Sequence, residues 1–262
     1  FDFNFVFVAT IVSAAIACFV MGFWANQPIA LASGMGLNST VAFYVCAQLG
    51  FTPQQALGAI LVSGILFVVL SLSPIRKYLV NAVPMSLKNG ISAGIGAFLF
   101  VIGISIMQVI KDHPVTLVQL GDLTSPIVLL ACAALIFVVV LQKLKLGWIS
   151  RASIIIGILL FSIIAWVSGL AKFNGVFGPI PEMGYFMAFD FSAVMTASGA
   201  TVIFTLFFVD VLDTNSTLTA IAKETGRMDK SGNIKNVDRA LMADSLGTVV
   251  GGVCGTSNVT SY

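Results

Sequence analysis

The sequence predicts an all-α polytopic membrane protein, on three observations. Hydrophobic residues make up 58% of the 262 and charged ones only 9%, where a soluble domain carries about 25% charge; mean hydropathy is +1.03. The apolar residues fall into several separate runs of about 20, the length a helix needs to cross roughly 30 Å of hydrocarbon. Two stretches then break the pattern with glycines, hydroxyls and amides at membrane depth, where non-helical backbone survives only if it lines a cavity or is buried in protein.

Taken in order, the first span is predicted at about Phe3 to Trp24, followed by the polar break Ala25-Asn26-Gln27-Pro28. Residues 28–33 read as extended, and a half-helix is predicted from near Asn38 to about Leu49. Later spans are expected at 53–72, 85–108, 125–142, 152–169 and 191–221. A charged segment, Lys223 to Arg239, separates these from a last hydrophobic hairpin-like stretch ending in Gly251-Gly252-Val253-Cys254-Gly255-Thr256-Ser257-Asn258-Val259-Thr260-Ser261. That ending repeats the earlier break. Two interrupted segments in corresponding halves point to a secondary transporter with inverted repeats and a midplane site.

Loop charges give an independent count. With the loop after Leu72 placed in the cytoplasm, that side holds Arg76, Lys77, Lys88, Lys143, Lys145, Arg151, Lys223, Arg227, Lys230, Lys235 and Arg239, leaving Lys111 and Lys172 opposite. A miscounted helix would scramble this bias. Phe1 then lies on the outer face. The chain opens without an initiator Met and stops at Tyr262 in mid-motif, so it reads as a fragment lacking one preceding span. A net charge of +2 is too small to imply a nucleic-acid partner. Cys18, Cys46, Cys132 and Cys254 form no close pair, so neither a disulfide framework nor a metal clip is suggested.

Asp210 and Asp213 lie inside Val202-Ile203-Phe204-Thr205-Leu206-Phe207-Phe208-Val209-Asp210-Val211-Leu212-Asp213-Thr214. A carboxylate there costs a few kcal/mol or more unless it faces a cavity, a partner or a proton. Three positions apart on a helix, the two are about 60° apart on one face and share it. Two such groups in low dielectric resist ionising together, so at least one is expected to hold a proton near neutral pH, the physical basis for proton coupling. A carboxylate also accepts two N–H donors, which suits a nucleobase edge. The plainer reading makes Asp213 a helix-end acid capping a following helix with Thr214 and Asn215.

Asn38 offers donor and acceptor at the expected mouth of a half-helix, or is only its N-cap. Thr256 and Ser257 present a second set of polar groups, unless such hydroxyls merely bond their own backbone. Gly90-x-x-x-Gly94 and Gly247-x-x-x-Gly251-x-x-x-Gly255 read as helix-packing faces. His113 reads as a solvated loop histidine, and Glu182 and Asp190 as surface acids. With its lone His in a loop, the chain has no nucleophile and base pair and no two-His metal spacing, which argues against an intramembrane enzyme.

Three stretches carry a family resemblance: Gln27-Pro28-Ile29-Ala30-Leu31-Ala32-Ser33-Gly34-Met35-Gly36-Leu37-Asn38, Phe208-Val209-Asp210-Val211-Leu212-Asp213-Thr214, and Gly255-Thr256-Ser257-Asn258-Val259-Thr260-Ser261-Tyr262. In order and spacing they resemble the AzgA-like purine permeases of the nucleobase transporter superfamily. The resemblance implies a fourteen-span protein of two inverted seven-span repeats, with short strands preceding half-helices in the third and tenth spans. On that map residues 1–80 are core-domain spans two to four, 81–172 gate-domain spans five to seven, and 173–262 core-domain spans eight, nine and the start of ten. It implies binding roles for Asn38, Asp210 and Asp213, and a base-binding glutamate just beyond Tyr262. Ser33 stands where the family often has proline, and Asn215-Ser216 where a small or glycine-containing pair is usual.

The expected function is proton-coupled uptake of a purine base (hypoxanthine, guanine or adenine), with Asn38, Asp210, Asp213, Thr256 and Ser257 binding the base and Asp210 or Asp213 carrying the proton. No cofactor and no metal is expected, the partners are the base, H+ and the bilayer, and a homodimer is left open. The alternatives are an anion transporter or channel of the same architecture and, second, an intramembrane enzyme. A bacterial inner membrane is the location that the resemblance implies.

Overall fold

The computed structural model describes residues 2–73, 84–114, 116–144, 147–172, 175, 184–227, 234 and 236–262. Arg76, Lys77, Lys145, Glu182, Lys230 and Lys235 lie outside them, as does the side chain of Lys88. Four helices among the described residues are long and apolar enough to cross a membrane: Phe3–Trp24, Pro53–Leu72, Pro126–Lys143 and Ala197–Glu224. The chain divides into two compact units, one of residues 1–95 with 179–262 and the other of residues 96–178.

In the first unit α1 (Phe3–Phe19) runs on into π-helical turns over Val20–Trp24. Strand β1 (Leu31–Ser33) and helix α2 (Met35–Ser39) follow, the latter continuing with π-type hydrogen bonding through Thr40–Gln48. Helix α3 (Pro53–Leu72) begins at a capping box: the Thr52 hydroxyl accepts from the Gln55 N–H at 3.2 Å while Gln55 Oε1 accepts from the Thr52 N–H at 3.0 Å. Gln55 also donates to Ser192, whose main-chain N–H and hydroxyl, both 2.8 Å from the Asp190 carboxyl, hold that acid below its ordinary pKa. Asp190 is therefore part of a hydrogen-bonded corner as well as a surface acid. Thr52→Ala is expected to cost about 1 kcal/mol, as lost caps do, read as a lower unfolding temperature in detergent with transport unchanged.

Helix α4 (Met85–Ile106) spans the boundary of the units. The second unit continues with a hairpin, β2 (Ile110–His113) antiparallel to β3 (Leu117–Leu120). It lies where an outer loop is expected around His113, whose Nδ1 accepts from the Thr116 N–H at 3.2 Å. Then come α5 (Pro126–Lys143), α6 (Trp148–Arg151) and α7 (Ser153–Val167). α5 and α7 pack with Phe137 against Phe161, ring centroids 5.7 Å apart.

Back in the first unit, α8 (Ala197–Glu224) and α9 (Val237–Cys254) lead to strand β4 (Val259–Ser261). The expected hairpin-like ending is thus one helix and a returning strand. α9 packs on α3, α1 and α8. The Gly247 and Gly251 face carries that strand: a Cβ on Gly251 would lie 2.8 Å from the Ser257 carbonyl, one on Gly247 3.2 Å from Val259. Gly90 and Gly94 meet nothing within 4 Å among the described residues. Met21, Leu31, Phe67, Val211, Leu218 and Leu241 belong to one buried cluster, and Leu37, Val45, Leu57, Ile60, Val202 and Leu206 to a second.

Candidate functional site

Two three-residue strands organise the site. β1 and β4 pair antiparallel, Leu31 opposite Ser261 and Ser33 opposite Val259. The Gly34 N–H donates to the Asn258 carbonyl at 3.0 Å and the Tyr262 N–H to the Ala30 carbonyl at 2.9 Å, lengthening the ladder at each end. Each strand satisfies main-chain groups that the other could not leave bare at membrane depth.

One set of polar side chains surrounds Asn38. Its Oδ1 accepts from the Ser33 hydroxyl at 2.8 Å and from the Ser257 hydroxyl. Ser33 Oγ also lies 2.8 Å from Ser257 Oγ and 3.2 Å from Thr256 Oγ1, which in turn lies 2.8 Å from Thr10 Oγ1 on α1. Ser33, Thr256 and Ser257 are buried and Asn38 is exposed. The half-helix starts at Met35, before the expected position, because extended Gly34 ends the strand and caps the helix. Asn38 is therefore no N-cap: its N–H already donates to the Gly34 carbonyl at 2.8 Å, and its side chain is free to face the hydroxyls.

The acids form the second set. Asp210 is 1% exposed; its Oδ2 accepts from Thr248 Oγ1 at 2.9 Å and from Asn258 Nδ2 at 3.0 Å, and Asn258 Nδ2 lies 3.3 Å from Ser63 Oγ. Asp210 is thus held by polar side chains at Oδ2, while its Oδ1 has no hydrogen-bond partner among the described residues, and it is joined to the first set through consecutive Ser257 and Asn258. Asp213 is half-buried and accepts from Thr260 Oγ1 at 3.2 Å. α8 continues past it to Glu224, so it does not cap a following helix.

Beside them stands an acid that the sequence reading passed over. Asp244 on α9 is fully buried and accepts from Thr214 Oγ1 at 2.5 Å. It obeys the same rarity rule that singles out Asp210, and reading residues 237–254 as one helix would have found it. Thr248, Thr214, Ser63 and Thr10 carry no comparable signal, since hydroxyls are common in membrane helices. Among the described residues no three His, Cys, Asp or Glu side chains are arranged to hold a metal ion. What the arrangement offers is carboxyl and amide acceptors, hydroxyl bridges and no basic side chain on α1, α3 or β4.

A permease-family model, Xan_ur_permease, matches residues 1–262. A Methanocaldococcus jannaschii protein named as a permease without a stated substrate is 40% identical over 263 residues, 100% of this chain and 59% of that one. Guanine/hypoxanthine permease PbuO of Bacillus subtilis is 37% identical over 99% of this chain and 61% of its own, and adenine permease AdeQ of Escherichia coli 34% over 98% and 57%. These are names of the branch that the three motifs resemble, and they are names of transporters, not enzymes. This chain spans about three fifths of the length of each. In fold it is similar to the transmembrane domain of a cyanobacterium bicarbonate transporter, BicA, with a TM-score of 0.61 over 98% of this chain and 69% of that one at 16% identity. With apolar spans, a transporter fold and a family match running from its first residue to its last, the chain is an integral membrane protein and belongs to the permease family.

Proposed function

We propose that the intact protein takes up a purine base, hypoxanthine, guanine or adenine, together with a proton. The observation that carries this reading is the convergence of Asp210, Asp213 and the Asn38 amide on the paired strands. An uncharged ring with N–H donors is matched by carboxylate acceptors, and an anion is not; the names of the B. subtilis and E. coli relatives support the same class. In this reading the base meets accessible Asn38 and Asp213, while Asp210, Thr256 and Ser257 hold those groups in place from behind. Protonation neutralises a buried charge and lets the loaded site cross.

The same proposal takes residues 1–80 and 173–262 as core and 81–172 as gate, within a fourteen-span protein of two inverted repeats, in a bacterial inner membrane. The test is uptake of labelled hypoxanthine, guanine and adenine by the full-length gene in a purine-transport-deficient host, with and without an uncoupler. Asp213→Asn is expected to weaken apparent affinity about 10- to 100-fold, the equivalent of a hydrogen bond to a charged group. Unchanged affinity would remove Asp213 from the binding edge. Competition by bicarbonate or sulfate but not by purines would favour an anion carrier instead.

A further inference from the structure

Asp244 is the buried acid that purine recognition leaves without a task. Among the described residues its Oδ1 has no hydrogen-bond partner, and its Oδ2 takes the Thr214 hydroxyl at 2.5 Å. Thr214 Oγ1 lies 3.4 Å from Thr260 Oγ1, and Thr260 donates to Asp213 Oδ2 at 3.2 Å. Asp213, Thr260, Thr214 and Asp244 thus form a file that steps from α8 to β4, back to α8 and on to α9.

The middle step of the file is the long one. Hydroxyl hydrogen bonds cluster near 2.7–2.8 Å, and each threonine has one proton to give. With both acids ionised, both protons point outward to the carboxylates, so none lies between the hydroxyls. A proton added at Asp213 completes the file. The Asp213 O–H then donates to Thr260 Oγ1, Thr260 turns its own proton to Thr214 Oγ1, and Thr214 passes its proton to Asp244 Oδ2. Each hydroxyl gives one proton and receives one; the net change is one O–H bond broken on Asp213 and one formed on Asp244.

We propose that Asp244 stores the coupling proton, filled from Asp213 through Thr260 and Thr214; this rests on the proton-coupled reading above. Asp213 is half-buried while Asp244 is sealed. Among the described residues the charged groups that bear on Asp244 are Asp210 and Asp213 of α8, and α1, α3 and β4, which pack around α9, carry no Asp, Glu, Lys, Arg or His. A proton parked there leaves Asp213 ionised and able to accept the N–H groups of a base. Base and proton then occupy different carboxyls and do not compete.

The test uses the full-length protein in proteoliposomes with labelled hypoxanthine, read in two modes. One is exchange at equal pH, and the other is accumulation under a gradient of one pH unit, which supports about tenfold accumulation for one proton per base. Thr214→Val and Asp244→Asn are expected to exchange at the wild-type rate but not accumulate, and Thr214→Ser to do both. Wild-type accumulation by Thr214→Val would overturn the file while leaving proton coupling in place. Loss of exchange in both Thr214→Val and Thr214→Ser would overturn it in favour of a structural role. Wild-type accumulation that ignores the gradient would overturn the proton-coupled reading, and the storage site with it.

Discussion

Asp210→Ala in the full-length protein is expected to abolish purine uptake while the protein still reaches the membrane. Thr248 keeps a partner, because its hydroxyl also lies 2.9 Å from the Val259 carbonyl. Asn258 does not fare as well. Its Oδ1 lacks a partner among the described residues, and losing the carboxylate leaves its amide nitrogen only the longer contact to Ser63 Oγ at 3.3 Å, so that one N–H of a buried amide goes unpaired at a cost of about 1–3 kcal/mol. The side chain is driven to reorient, and the neighbouring Ser257, which donates to Asn38, moves with it. One substitution so removes a charge and displaces the binding edge. Uptake normalised to protein in the membrane is expected to fall about 100-fold or more, the equivalent of roughly 3 kcal/mol. Asp210→Asn, which keeps an acceptor for Asn258, is expected to retain more. Wild-type uptake by Asp210→Ala would place the carboxyl outside the site.

The second large effect is expected at Gly255, the residue that ends α9 with φ 99° and ψ 27°. A side chain there is strained by the left-handed backbone, about 1–2 kcal/mol, and a Cβ would also sit 2.4 Å from the Tyr185 Cβ and 2.9 Å from its carbonyl oxygen. Overpacking of that kind costs about 1–3 kcal/mol more. Because Gly255 turns the chain from helix into the segment bearing Thr256, Ser257 and Asn258, any shift is delivered to the site. Gly255→Ala is expected to lower thermal stability in detergent and to lose most transport. Gly226→Ala is the control: its φ is 66°, yet nothing lies within 4 Å among the described residues, so the backbone penalty is the cost expected of it. Equal losses in the two variants would mean that the contact with Tyr185 is unimportant.

The spans were legible because bilayer thickness dictates their length: Phe3–Trp24 and Pro53–Leu72 agree with expectation to the residue and Pro126–Lys143 within one position, while the helix expected from 191 begins at Ala197 and that expected at 152–169 is the shorter Ser153–Val167. The two broken segments were legible as breaks, since glycine, hydroxyl and amide residues have no other business at that depth. That they pair with each other was not derivable from residue pattern alone, because strand register is a property of two distant segments and each has only three residues. The β2–β3 hairpin was hidden for a different reason. The sequence between its strands, Pro114-Val115-Thr116, lacks the Asn-Gly or Asp-Gly signal that marks tight hairpins. Asp244 was missed because the charged segment was ended at Arg239 and the stretch after it read as hairpin-like, where one helix runs from Val237 to Cys254.

The pairing of β1 with β4 has a consequence for biogenesis. Ser33 and Tyr262 are 229 positions apart, and at about 5–20 residues per second the ribosome needs on the order of 10–45 s to travel between them. Throughout that interval the first strand has bare amides that hydrocarbon does not tolerate. Its segment must therefore wait in the translocon or at the membrane surface, or borrow another partner, until the second strand arrives.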